Sequence, residues 1–123
     1  MKIEHLAVNV SEPVKMAQWY VAHLGMAIVQ AMDQTPFTHF LSDRSGMMIE
    51  IYSNPTASVP DYRSMHPLLL HLAFVSDDPE VDCIRLEKAG ATFVEKVGPT
   101  KGTHLIMMRD PWGLPIQLCK RKW

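Results

Sequence analysis

A block of this chain occurs twice. His5-Leu6-Ala7, with Pro13 following, is matched by His71-Leu72-Ala73, with Pro79 following, at a constant offset of 66. Further on, Asp43-Arg44-Ser45-Gly46-Met47-Met48-Ile49-Glu50 lines up with Asp110-Pro111-Trp112-Gly113-Leu114-Pro115-Ile116-Gln117 at an offset of 67. A 123-residue chain with a repeat of about half its own length reads as two copies of one supersecondary unit that share a core. The repeat also sets His5 against His71 and Glu50 against Gln117, so each copy ends its pattern on a group able to bind a metal.

Hydrophobic periodicity assigns the same element order to both copies. Residues 3–10 alternate and are rich in branched side chains, which marks a strand with Ile3, His5 and Ala7 on one face. Ser11 is the expected N-cap of a helix with Pro13 in its first turn. Its apolar stripe is Val14, Ala17, Tyr20, Val21 and Leu24, and Gly25 ends it. Strands are expected at 26–32, 37–41 and 47–52, with a hairpin turn at 42–46, so that Met48, Glu50 and Tyr52 share a face. The second copy gives a strand at 68–75 and a helix begun by Ser76 or Asp77, with Val81, Ile84, Leu86 and Ala89 inward and a stop at Gly90. Strands follow near 92–97, 104–108 and 114–120, with a turn at 110–113. The expected fold is α+β, one domain over 1–123. Module 1 covers about 1–53 and module 2 about 68–120, each βαβββ. The stretch 54–67, with Pro55, Pro60 and Pro67, reads as the linker. One module alone cannot easily bury a core, so the two are expected to pair.

Charge excludes some partners. Residues 1–66 carry four basic and six acidic side chains, and residues 67–123 carry eight and seven, so neither half has the basic footprint of a nucleic-acid binder. No apolar run approaches membrane-spanning length, and no signal-peptide core follows Met1. Cys83 and Cys119 lack zinc-type spacing and are too few for a disulfide framework, which points to a reducing, cytoplasmic setting.

The chemistry lies in four matched positions. A lone strand histidine is ordinarily a hydrogen-bonded core residue, and a lone glutamate near a strand end is ordinarily solvated. Here, however, His5, Glu50, His71 and Gln117 recur at equivalent places, flanked at spacing two by mostly apolar or small residues, so they face inward and need partners. One divalent ion would serve all four. Imidazole, carboxylate and amide oxygen suit zinc, nickel, iron, manganese or cobalt. Tyr52 should share the cleft and donate to a substrate oxygen, and Arg109, beside the second turn, could meet an anionic substrate end. His39 and His104, on the third strands, read as structural or exposed.

The residues His5-Leu6-Ala7-Val8, Trp19-Tyr20-Val21-Ala22-His23-Leu24-Gly25-Met26, His71-Leu72-Ala73-Phe74 and Asp110-Pro111-Trp112-Gly113-Leu114-Pro115-Ile116-Gln117-Leu118, in this order, resemble the vicinal oxygen chelate superfamily of glyoxalases, bleomycin resistance proteins and extradiol dioxygenases. The resemblance spans essentially the whole chain. It implies paired βαβββ modules forming a cupped mixed sheet, a metal held by His5, Glu50, His71 and Gln117, a small substrate that chelates it through adjacent oxygens, and a homodimer. Gln117 departs from the pattern, since that position is commonly Glu and serves as a proton shuttle in the glyoxalase I branch. An amide cannot act as a base, which leaves Glu50 as the catalytic candidate. The reading that follows is a metal-dependent lyase or isomerase of glyoxalase type with Glu50 as proton shuttle. A non-catalytic drug- or metabolite-binding protein is the alternative, and an extradiol-type dioxygenase a second one.

Overall fold

The computed structural model describes residues 1–123, which divide into two compact units, Met1–Pro60 and Asp61–Trp123. Each is a βαβββ module with a four-stranded mixed sheet, the α+β organisation expected.

In the first unit the order along the chain is β1 (His5–Asn9), α1 (Pro13–Leu24), β2 (Ala27–Ala31), β3 (His39–Ser42) and β4 (Met48–Tyr52). Across the sheet it is β1-β4-β3-β2. The first strand pairs in parallel with the last, and the other two pairings are antiparallel. Parallel pairing requires a long crossover connection, and the intervening α1 is part of it. Burial alternates along β4: Ile49 and Ile51 are buried, whereas Met48, Glu50 and Tyr52 are half-exposed. One face therefore packs in the core, where Val8, Leu41, Met16, Ala17 and Tyr20 are also buried. The other face carries Met48, Glu50 and Tyr52.

The second unit repeats this with β5 (Leu72–Val75), α2 (Pro79–Lys88), β6 (Thr92–Thr100), β7 (Thr103–Arg109) and β8 (Pro115–Lys120) in the order β5-β8-β7-β6. Leu72, Ile106, Met108, Ile116, Leu118 and Leu86 of α2 are buried. Strand β6 runs three residues past its expected end, because Lys101 and Gly102, both at positive φ, close a two-residue hairpin between Thr100 and Thr103. Strand β5 begins four residues later than expected. Residues 68–70 are turn and bend, with Leu68 and Leu69 exposed.

The helix faces differ from the expected ones. In α1 the buried set is Pro13, Met16, Ala17, Trp19 and Tyr20, and Val14 and Val21 are exposed. In α2 it is Pro79, Cys83 and Leu86, with Val81 and Ile84 exposed. Each helix covers a single sheet with a narrow stripe, and the larger Met, Trp and Tyr side chains take it in preference to valine. The caps also move. Glu12, not Ser11, precedes α1 and caps nothing with its side chain. Asp78 caps α2, its carboxylate accepting from Val81 N at 3.2 Å, while Ser76 donates to Asp82 at 2.6 Å. No helix is long and apolar enough to cross a membrane.

Cys83 illustrates what burial on α2 does to reactivity. Burial, then the Glu87 carboxylate 3.6 Å from its sulfur, pushes the thiol up to about 11. Only the thiolate is nucleophilic, so at pH 8 alkylation of Cys83 should run roughly 100-fold slower than that of a free cysteine. Mass spectrometry after timed iodoacetamide treatment, with and without urea, checks this. Equal rates in both conditions would contradict it.

Candidate functional site

Strand register brings the matched residues together within each unit. In the first, Ala7 of β1 lies opposite Glu50 of β4, and His5 precedes Ala7 by two residues, so all three share the face turned away from the buried Val8 and Ile49. His5 Nε2 approaches Glu50 Oε2 to 3.2 Å. Its Nδ1 is held by the carboxylate of Glu4, the residue before the strand. Phe40, paired with Glu50 across β3 and β4, packs T-shaped against the imidazole, with ring centroids 5.6 Å apart.

Both nitrogens of His5 thus meet carboxylate oxygens. A neutral imidazole carries one N–H, so with Nδ1 donating to Glu4 its Nε2 would turn a lone pair to Glu50, whereas an imidazolium would donate to both carboxylates. Two lone pairs cannot face each other at this distance without a cation or a proton to accept both.

In the second unit Ala73 lies opposite Gln117, and His71 stands just ahead of β5, which starts at Leu72. His71 Nδ1 donates to the Pro67 carbonyl at 2.9 Å, which in a neutral ring leaves the lone pair on Nε2. The Cys119 thiol donates to Gln117 Oε1 at 3.1 Å. Burial raises this thiol above its ordinary range. The two half-sites differ in charge: the first carries two carboxylates, the second none. The structure gathers no group of three or more His, Cys, Asp or Glu side chains that could hold a metal ion.

Tyr52 lies on the Glu50 face two residues farther along, half-exposed. Its neighbour across the ladder, Asn9, accepts from Asn54 N at 2.8 Å and donates to the carbonyls of Asn54 and Ala57. The first part of the 54–67 stretch is tied to the first unit in this way.

The later part is tied to the second unit, and Arg109 does much of it. Its Nη1 donates to the carbonyls of Tyr62 at 2.7 Å and Gly113 at 3.1 Å, and its Nη2 to that of Met65 at 2.7 Å. Arg63 in turn donates to the Pro111 carbonyl. Residues 61–67 form a strap that starts with a single 3-10 turn, Tyr62–Ser64, and ends at the Pro67 carbonyl that orients His71. Sequence reading offered Arg109 to a substrate. In the structure these three donations go to main-chain oxygens.

His39 and His104 stand on the core faces, away from the half-sites. His39 is buried, with Nδ1 donating to Phe37 O at 2.7 Å. His104 Nε2 lies 3.2 Å from Glu80, whose carboxylate also pairs with Lys96, but it lacks hydrogen-bond alignment with either oxygen. Sequence reading missed Glu4, Phe40, Cys119 and the strap. For Phe40 and Cys119 a signal existed: both lie at the strand parity of Glu50 and Gln117.

Residues 2–118 match the sequence profile of the Glyoxalase/Bleomycin resistance protein/Dioxygenase superfamily. A Vibrio cholerae protein named as a probable lactoylglutathione lyase is 27% identical over 129 aligned residues, covering 98% of this chain and 91% of that one. A glyoxalase family protein from Enterococcus faecalis superposes with a TM-score of 0.72 at 25% identity, with 97% of each chain covered. An antibiotic binding protein from Streptomyces sp. CB03234 shares the fold, with a TM-score of 0.74 at 21% identity over 99% of this chain and 97% of that one. The chain belongs to the glyoxalase/bleomycin resistance protein/dioxygenase superfamily.

Proposed function

We propose that this protein is a divalent-metal-dependent lyase or isomerase of glyoxalase type, with His5, Glu50, His71 and Gln117 as ligands and Glu50 as proton shuttle. One observation carries the reading: each histidine commits Nδ1 to an acceptor, and Nε2 of His5 approaches the Glu50 carboxylate. Anchoring of the second nitrogen is the arrangement that metal-binding histidines require. The donor types fit zinc, nickel, iron, manganese or cobalt. Gln117 Oε1 has a second lone pair beside the one that accepts the weak Cys119 donor. Membership of the family and the relatives named as probable lactoylglutathione lyases, at 27% and 25% identity, support a lyase.

A bound divalent ion supplies Lewis-acid polarisation of adjacent substrate oxygens. The side chains do the rest. Glu50 takes the proton from the carbon beside the carbonyl and returns it to the neighbouring carbon, so the reaction is a redox-neutral rearrangement. Gln117 cannot take that proton. Tyr52 donates to a substrate oxygen from the Glu50 face. Arg109 holds the strap that orients His71. The protein works as a homodimer on a small molecule.

Elemental analysis of protein purified without added metal tests this. Roughly one divalent ion per chain is expected, lost in His71→Ala and in Glu50→Ala. A protein that carries no metal and gains none on titration with zinc, nickel or cobalt would favour the second reading, a small-molecule binder. That reading draws on the uncharged second half-site and on the fold shared with the Streptomyces antibiotic binding protein. Bound iron with oxygen uptake on a catechol would move the assignment to ring-cleaving dioxygenase.

A further inference from the structure

Gln117 leaves the four proposed ligands with one carboxylate. A second carboxylate is nevertheless present, one bond network away. Glu4 holds His5 Nδ1, while His5 Nε2 lies 3.2 Å from Glu50. The equivalent nitrogen of His71 meets the neutral carbonyl of Pro67. Each histidine thus has an acceptor at Nδ1, charged in one unit and neutral in the other, and the charged one stands in the unit that keeps Glu50.

We infer that Glu4 is a positioning residue for His5, fixing Nε2 as its free nitrogen, and that it supplies from behind the ring the negative charge absent at Gln117. This rests on the metal-dependent reading above. Glu4 is 68% exposed, so a direct charge–charge effect is screened by water. Its influence passes through the hydrogen bond: a carboxylate acceptor fixes the tautomer and strengthens the opposite nitrogen as a donor to metal. Phe40 packs T-shaped against the ring and keeps it in place, so losing Glu4 is expected to change the tautomer more than the position of the imidazole.

Two measurements on Glu4→Ala and Glu4→Gln test the inference. The first is calorimetric titration of the metal-free proteins with zinc and cobalt. Glu4→Ala should bind about 10- to 100-fold more weakly, the usual cost of removing such a partner, and Glu4→Gln, which keeps an acceptor but no charge, should fall between it and the parent. Glu12→Gln, which removes a carboxylate at the start of α1, should bind like the parent. The second is nitrogen-15 correlation spectroscopy of the imidazoles in metal-free protein. His5 should carry its proton on Nδ1 in the parent and shift toward Nε2–H in Glu4→Ala, with His71 unchanged. Unaltered affinity in Glu4→Ala, or an unaltered His5 tautomer, overturns the role of Glu4. Failure of the parent to bind either metal overturns the functional reading instead, and the tautomer measurement still decides whether Glu4 positions the ring.

Discussion

Gly113→Ala should destabilise the protein by about 2–4 kcal/mol, although residue 113 lies in a turn and touches no proposed ligand. Two costs combine. Gly113 has φ +90°, where an L side chain is strained by about 1–2 kcal/mol. The added Cβ would also stand 2.8 Å from Arg63 Cβ and 2.9 Å from Arg63 N and Cα, and this is main chain that cannot swing aside. Relief requires moving the 3-10 turn, which Arg109 fastens through the Tyr62 and Met65 carbonyls and which Arg63 fastens to Pro111. Gly46, in the matching turn of the first unit, has φ +117° and open space around it, so Gly46→Ala carries only the conformational cost. Urea melts of both variants make the comparison: the midpoint should fall clearly further for Gly113→Ala, at unchanged slope. Equal losses would mean that the strap yields freely. Because the strap delivers the Pro67 carbonyl to His71, the variant should also loosen that histidine at temperatures well below the melt.

The strap shows where sequence reading stops. Three prolines and many small polar residues in 54–67 read as a linker, yet Asn9 ties down one end and Arg109 the other. Nearly all these bonds end on backbone carbonyls, which every residue has, so composition carries no trace of them. The helix faces were misjudged for a related reason. Val14, Val21, Val81 and Ile84 fit a helical stripe as well as the buried residues do, and periodicity cannot decide between two apolar stripes on one helix. The βαβββ order and sheet class were legible, because duplication makes each copy a check on the other and because strand parity needs no tertiary information. Parity likewise foretold that His5 and Glu50 share a face, and they lie 3.2 Å apart. Glu4 was illegible, since neighbours along a strand normally point to opposite faces. It reaches His5 only because it stands just outside the strand, which starts at His5.

Glu50→Gln should lower turnover of a hemithioacetal by about 10²- to 10⁴-fold, the usual contribution of a positioned general base, with a smaller change in KM. The amide keeps the size and the oxygen of the carboxylate, so what is lost is the capacity to carry a proton. None of the other three proposed ligands can replace it: Nε2 of each histidine is committed to the metal in the proposal, and Gln117 is already an amide. The repeat makes a sharper test available. Gln117 stands opposite Ala73 as Glu50 stands opposite Ala7, two residues beyond the matching histidine, so Glu50→Gln combined with Gln117→Glu moves the carboxylate to the equivalent place in the other unit. Gln117→Glu alone should tighten zinc binding, because it would add a second negative ligand to the proposed site. Recovery of turnover in the double variant would show that either copy of the repeat can hold the base. A double variant that keeps its metal and stays inactive would tie proton transfer to the surroundings of Glu50, where His5 lies between two carboxylates. Undiminished turnover in Glu50→Gln alone would remove the proton shuttle from that residue.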